Sequence, residues 1–132
     1  MGSYEHSLDD KGRIVLPAKF RERLATGGFV TIGSGGCLVV WTQEDYEAEA
    51  EDMKAAVKRG ERSRDELRAM AANSSEVKPD SQGRVALPSN LRTYAGITGA
   101  VTVVGVIDCI ELWDTAVWRS RNEAGSAKLA DA

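Results

Sequence analysis

Cysteine and histidine are scarce in this sequence of 132 residues, which has only two cysteines and one histidine. Cys37 and Cys109 lie far apart with no second cysteine or histidine nearby, and His6 stands alone near the N-terminus. This spacing argues against a zinc site, a CxxC redox pair and a disulfide framework. Because a free cysteine behaves as a small hydrophobic residue, we expect both thiols to be reduced, buried and inert.

Long apolar runs and an excess of positive charge are also missing. The sequence contains no stretch of about 18 apolar residues, the length needed to span a membrane. Its first residues, MGSYEH, lack the basic and apolar segments of a signal peptide. We therefore expect a cytoplasmic protein with no membrane partner. With 20 acidic and 17 basic residues the formal net charge is -3, so any contact with nucleic acid must come from a local basic patch.

Signatures of catalysis are likewise absent. The sequence has no glycine-rich phosphate loop, nucleophile elbow or cluster of metal-ligand residues. We expect neither an enzyme nor a protein that uses a cofactor, a metal or a small-molecule substrate. A paired-carboxylate hydrolase built from Asp9 and Asp80 is conceivable. However, an aspartate just before a glycine turn more often accepts hydrogen bonds from the amides of that turn.

The strongest signal in the sequence is an internal repeat. Residues 9–24, DDKGRIVLPAKFRERL, match residues 80–95, DSQGRVALPSNLRTYA, at six of sixteen positions. The identical residues are Asp9, Gly12, Arg13, Leu16, Pro17 and Arg21, which recur as Asp80, Gly83, Arg84, Leu87, Pro88 and Arg92. A unit of about 45 residues seldom buries enough apolar surface alone, so we expect the two units to interdigitate into one pseudo-symmetric core.

Local patterns predict the same elements in both repeats. An Asp-x-x-Gly-Arg turn leads into an apolar strand, a short helix opened by proline, two further strands and a helix capped by Thr42 or Asp114. A capping box at Ser63 starts a second helix in the first half. The predicted order is βαββ-αα-βαββ-α, a mainly β fold with helices (α+β). We assign 4–47 to the first repeat, 48–75 to a helical connector, 76–119 to the second repeat and 120–132 to a flexible C-terminal tail.

Positive charge is concentrated where the first repeat begins. Residues 9–24 carry five basic and three acidic side chains, net +2, whereas residues 43–52 carry a net charge of -6. Arg13 and Arg84 each follow a turn glycine, and a guanidinium group can bind phosphate or bridge O6 and N7 of guanine. The alternative for each arginine is an ion pair with the aspartate four residues earlier. For Lys19 and Arg21, on the short helix, DNA contact and a structural or intersubunit role remain equally open.

The segments HSLDDKGRIVLPAKFR and PDSQGRVALPSNLR resemble the paired Asp-x-x-x-Arg signatures of the MraZ family, bacterial transcriptional regulators built from two SpoVT/AbrB-type domains. The likeness extends from Tyr4 to Arg119. It implies a pseudo-two-fold swapped-hairpin (double-split) β-barrel and a ring-shaped homo-oligomer. It also implies sequence-specific binding of double-stranded DNA at short repeats in the promoter of the division and cell-wall gene cluster to which the family member belongs. It further implies a regulator that is commonly a repressor, and we expect a cytoplasmic, nucleoid-associated location.

The resemblance further implies which residues contact DNA. The DNA-facing arginine of the signature corresponds to Arg13, with Lys11 just before it, and to Arg84 in the second copy, where Gln82 replaces the lysine and lowers the charge of the loop. Two helix residues complete the predicted DNA-binding set, Lys19 and Arg21. The turns contain four residues that we expect to support the loops rather than contact bases: Asp9, Gly12, Asp80 and Gly83. The competing hypothesis is a protein-interaction or assembly module without DNA binding, motivated by the acidic segment 43–52.

Overall fold

Both halves of the chain contain the same order of elements in a computed structural model that describes all 132 residues. Each half has two strands, a short helix and two more strands, followed by helix. The first half contains β1 (Gly2–Ser7), β2 (Arg13–Val15), α1 (Ala18–Arg23), β3 (Gly28–Ile32), β4 (Leu38–Thr42), α2 (Gln43–Lys58) and α3 (Arg64–Ala72). The second contains β5 (Ser75–Val77), β6 (Arg84–Ala86), α4 (Ser89–Ala95), β7 (Ala100–Val106), β8 (Cys109–Asp114) and α5 (Thr115–Ala130).

The two halves are woven together by strand pairing. Six strands form an antiparallel sheet in the order β1-β7-β8-β4-β3-β5, and β2 pairs with β6 in a separate two-stranded ribbon. If the halves are exchanged, the sheet order reads the same from the opposite edge, which is the pseudo-two-fold relation that the repeat predicts. The first strand of each half pairs with the other half, β1 with β7 and β5 with β3. The α+β class is thus confirmed, whereas the sheet is open and no closed barrel is observed.

Two strands and one helix differ from the predicted order. β1 and β5 precede the first predicted strand of each repeat, so each half is ββαββ rather than βαββ. Their sequences, GSYEHS and SEV, carry little apolar alternation, and pairing with the other half supplies their strand geometry. At the C-terminus, α5 continues to Ala130 through the segment predicted to fray, although every residue from 119 onward is exposed. Alanine-rich sequence favours this extension, since propagating a formed helix costs little.

One large core holds the two repeats together. It contains 17 buried residues from both halves and lies between one face of the six-stranded sheet and the layer formed by the ribbon, α1 and α4. Leu38 on β4 faces Leu112 on β8 in the register of the central strand pair, and both are fully buried. Phe20 of α1 meets the ring of Tyr4 edge-on, with centroids 5.9 Å apart. The repeats therefore share their apolar interior, as the size of each unit predicted.

The opposite face of the sheet carries a smaller buried cluster. It consists of five residues, with the ring of Trp118 packed against it: Cys37, Val39, Val104, Cys109 and Trp113. Both cysteines are free and buried, as predicted, and burial raises the pKa of each thiol to about 12. They stand at equivalent positions beside β4 and β8, so the pseudo-symmetry extends to this second face.

The predicted helix starts are confirmed by their hydrogen bonds. The Thr42 hydroxyl accepts from the backbone N–H of Asp45 at 3.1 Å, and the Asp114 carboxylate accepts from that of Val117 at 3.2 Å. Ser63 and Glu66 make the reciprocal pair of a capping box. Each cap satisfies an amide that the first helical turn leaves without a partner. No helix of the chain combines the length and apolar character needed to cross a membrane.

Candidate nucleic-acid interface

The β2–β6 ribbon presents both signature arginines on one surface. Because side chains alternate along a strand, Ile14 and Val85 point into the core, whereas Arg13 and Arg84 lie on the outer face. In the antiparallel register Arg13 of β2 lies opposite Ala86 of β6, and Arg84 lies two residues before Ala86 on the same strand. Such diagonal neighbours are about 7–8 Å apart. The chain therefore places the two arginines on one face of the ribbon where its repeats cross, each beside the aspartate of its own loop.

The turn before Arg13 holds this arginine in one orientation. One carboxylate oxygen of Asp9 accepts hydrogen bonds from the backbone N–H groups of Lys11 and Arg13, both at 2.9 Å. The other oxygen accepts from Nε of Arg13 at 2.7 Å. Gly12 has φ +73°, a conformation that glycine adopts without a steric cost, and its N–H donates to the Asp9 carbonyl. Asp9 thus organises both the loop backbone and the side chain that leaves it.

The second loop repeats this arrangement almost atom for atom. The Asp80 carboxylate accepts from the N–H groups of Gln82 and Arg84 at 2.9 Å, and from Nε of Arg84 at 2.8 Å. Gly83 has φ +76° and its N–H donates to the Asp80 carbonyl. Asp9 and Asp80 thus accept equivalent hydrogen bonds, and Gly12 and Gly83 share the same left-handed conformation.

The electrostatics of the two loops favour charged, outward-facing arginines. Hydrogen bonds from the backbone N–H of Arg13 and Arg84, with those from their side chains, hold the pKa of Asp9 and Asp80 below the ordinary value of 3.8. Each carboxylate contacts only the Nε edge of its arginine. The terminal nitrogens Nη1 and Nη2 have no partner within the chain, and each arginine side chain remains about a quarter exposed, at 27% and 26%. A guanidinium held in this way keeps two parallel donors free for an external acceptor.

The loop tips differ in charge. Lys11 and Gln82 occupy equivalent positions, both are exposed, and neither side chain has a partner in the chain. The first loop therefore offers an additional cation, whereas the second offers a neutral amide.

The other two predicted DNA-binding residues have contacts within the chain. The ammonium group of Lys19 donates to the Met1 carbonyl and lies 4.9 Å from the centroid of the Tyr4 ring. Nε of Arg21 donates to the Leu16 carbonyl at 2.6 Å. The structure thus places Lys19 at the start of β1 and Arg21 against Gly83 of the second loop.

Arg92 is a further arginine of this region that the prediction left out. Its Nε donates to the Leu87 carbonyl at 3.0 Å, the equivalent of the Arg21 contact. The signal was present in the sequence, because Arg21 recurs as Arg92 in the aligned repeats. The sequence does not show that Arg92 lies against Gly12 of the first loop, because these residues belong to distant segments of the chain.

The surface offers little for a paired-carboxylate hydrolase. Asp9 and Asp80 are each held by the amides and the arginine of their own loop. No group of three or more histidine, cysteine, aspartate or glutamate side chains is arranged to hold a metal ion. The fold and the loops define a two-repeat α+β protein that presents a pair of ordered arginines on one surface.

Known sequences with the same organisation give this class a name. The chain matches the family described as "MraZ protein, putative antitoxin-like" over residues 1–68 and 70–130. It is 41% identical over 132 residues to the transcriptional regulator MraZ of Corynebacterium diphtheriae, a match that covers 100% of this chain and 92% of that protein. It is 42% identical over 131 residues to the transcriptional regulator MraZ of Nocardioides sp., covering 99% of this chain and 91% of that protein. The chain belongs to the MraZ family of transcriptional regulators.

Proposed function

We propose that this chain regulates transcription by binding double-stranded DNA through Arg13 and Arg84. The observation that carries the proposal is the pair of guanidinium groups held by Asp9 and Asp80 on one face of the crossed ribbon, with their terminal nitrogens free. This preorganisation favours binding, because an arginine that is already ordered in the free protein loses less conformational entropy when it meets its acceptor.

The geometry suits the edges of a base pair or the backbone. The two free donors of a guanidinium match O6 and N7 of guanine in the major groove, and they also match two oxygens of a phosphate. Lys11 adds a phosphate-binding cation to the first loop, and Gln82 offers the second loop a neutral donor and acceptor. Lys19 would contribute at the periphery through its charge, and Arg21 would contribute through the second loop, which it contacts at Gly83. Because the chain as a whole carries a net charge of -3, it does not attract DNA over its entire surface. Binding therefore depends on a few arginines at defined positions on the ribbon.

Family membership supports the finer parts of the proposal. We propose that the interleaved repeats form the family's swapped-hairpin arrangement, with the ends of its sheet left unpaired. We also propose a ring-shaped homo-oligomer and operators made of short repeats upstream of the chain's own gene, in a division and cell-wall cluster that it represses. The place of action would be the cytoplasm, at the nucleoid. A ring would multiply modest contacts, because one bound subunit raises the effective concentration of its neighbour at the next repeat.

An electrophoretic mobility-shift assay with the DNA upstream of the chain's own gene tests the proposal. Arg13→Ala removes one ordered donor pair, worth about 1–3 kcal/mol per base contact, and we expect affinity to fall by about 5- to 150-fold. Arg68→Ala is the matched control, since Arg68 lies on α3, is 67% exposed and pairs only with Asp65. Equal affinity of the Arg13 variant and the control would remove Arg13 from the interface.

Salt dependence separates DNA contact from indirect effects. Neutralising each phosphate contributes a slope of about -0.9 to log K against log salt, so a steep slope is expected for the wild type. The acidic face of α2, where Glu44, Glu47 and Glu51 are exposed, is the feature that favours a protein-interaction module. Absence of DNA binding together with stoichiometric capture of a basic partner protein would support that alternative and overturn the proposed function.

A further inference from the structure

Each loop glycine lies against an arginine from the other repeat. A methyl group added at Gly12 would lie 2.8, 3.0 and 3.1 Å from Cζ, Nη1 and Nε of Arg92. One added at Gly83 would overlap Nε of Arg21 and lie 2.5 Å from its Cζ. These near-equal distances show the flat guanidinium against the glycine. Both glycines are buried although their neighbours at the loop tips are exposed, so the opposite arginine acts as their cover.

The same arginines are linked to the loops through two backbone groups. The Gly12 carbonyl accepts from the N–H of Leu87 at 3.0 Å, and the Leu87 carbonyl accepts from Nε of Arg92 at 3.0 Å. In the other direction, the Gly83 carbonyl accepts from the N–H of Leu16 at 3.0 Å, whose carbonyl accepts from Nε of Arg21 at 2.6 Å. Each arginine is therefore connected to the loop of the opposite repeat both by packing and by a two-step hydrogen-bond path.

We propose that Arg92 is the positioning residue for the first loop and that Arg21 is the positioning residue for the second. This inference deepens the proposed function and rests on it for the DNA readout. Arg92 restrains Gly12, the residue next to the reading arginine Arg13, and Arg21 restrains Gly83 next to Arg84. The arrangement is crossed, so each repeat orders the reading loop of its partner repeat.

The physical requirement is a flat cation that can approach a backbone closely. Glycine leaves the space that a methyl group would occupy, and only a planar group can fill that space while its edge donates to a carbonyl. A lysine would retain the charge without the plane. The contact therefore explains why arginine and glycine both recur in the two repeats.

Hydrogen–deuterium exchange of the free protein tests the positioning role without DNA. In Arg92→Ala we expect the amides of Gly12 and Arg13 to exchange about fivefold faster or more, the scale of coupling between groups in contact, while residues 80–84 keep their wild-type rates. Arg21→Ala should show the reverse pattern. Arg92→Lys should behave like Arg92→Ala, and Arg68→Ala should change neither loop. Equal acceleration in both loops, no acceleration, or full restoration by lysine would each overturn the proposal.

DNA affinity gives a second, crossed readout. Arg13→Lys and Arg84→Lys weaken each reading residue without removing its charge, so binding stays measurable at low salt. We expect Arg92→Ala to be non-additive with Arg13→Lys by about fivefold or more and additive with Arg84→Lys. A general loss of stability would affect both combinations equally and would contradict the crossed scheme.

The two levels of the proposal fail in different ways. Arg92→Ala could make the slope of log K against log salt less steep by about 0.9 and leave the hydrogen–deuterium exchange of the loops unchanged. In that case Arg92 is a direct phosphate contact and the positioning role is wrong. If the wild-type protein binds no DNA while the crossed exchange pattern is seen, the proposed function fails and the positioning of the loops stands.

Discussion

Truncating one central leucine should destabilise both repeats together. Leu112 is fully buried in the shared core and lies opposite Leu38 on the neighbouring strand. Leu112→Ala removes three carbon atoms, which amounts to about 2.4 kcal/mol of lost burial at about 0.8 kcal/mol per carbon. The cavity left behind adds to this loss, so we expect the free energy of unfolding to fall by about 3–4 kcal/mol. For 132 residues the entropy of unfolding is about 0.28 kcal/mol/K, which converts this loss into a Tm decrease of about 10–15 °C.

Urea unfolding followed by tryptophan fluorescence would measure the free energy of unfolding, and hydrogen exchange would show which backbone amides lose protection. Leu129→Ala is a matched control of identical chemistry, since Leu129 is 79% exposed on α5 and its truncation should stay within about 0.5 kcal/mol. We expect Leu112→Ala to reduce protection in β3 and β4 as much as in β7 and β8. Unchanged protection of β3 and β4 would refute the idea that the repeats form one cooperative unit.

Acid and thiol chemistry provide two further tests. Since the pKa values of Asp9 and Asp80 are lowered in the folded state, their contribution to stability is present above about pH 4 and is lost as the pH falls through the folded values. The double variant Asp9→Asn, Asp80→Asn should therefore show a shallower acid limb in a series of unfolding curves, and an unchanged limb would contradict this linkage. Cys37 and Cys109 have pKa values of about 12 and are buried, so iodoacetamide at pH 8 should modify them only after denaturation. Rapid labelling of the native protein would show that the thiols are accessible.

Features set by neighbouring residues were predictable from the sequence. The caps at Thr42, Ser63 and Asp114 follow from side chains that reach an amide three residues away. The support of each loop by Asp9 or Asp80 follows from the same kind of local contact. The internal repeat also predicted the shared core, because two similar units of this size have a common need for apolar cover.

Features set by distant segments were not predictable in the same way. β1 and β5 are short and polar, and only their pairing with β7 and β3 makes them strands. The location of Arg92 over Gly12 depends on the crossing of β2 and β6. Hydrophobic periodicity and turn residues depend on the local segment alone. They therefore predict whether a segment forms a helix or a strand more readily than they predict which other segment it pairs with.

The crossed pairing of β1 also has a consequence for how the chain folds as it is made. Gly2 pairs with Gly105 and Ser7 with Ala100, so β1 has no partner until β7 has left the ribosome. Contacts between such distant positions slow folding, because a long loop must close before they form. During synthesis the first repeat would therefore hold unpaired strand edges and an uncovered apolar face. Its final structure would arise in a late step, when the second repeat becomes available.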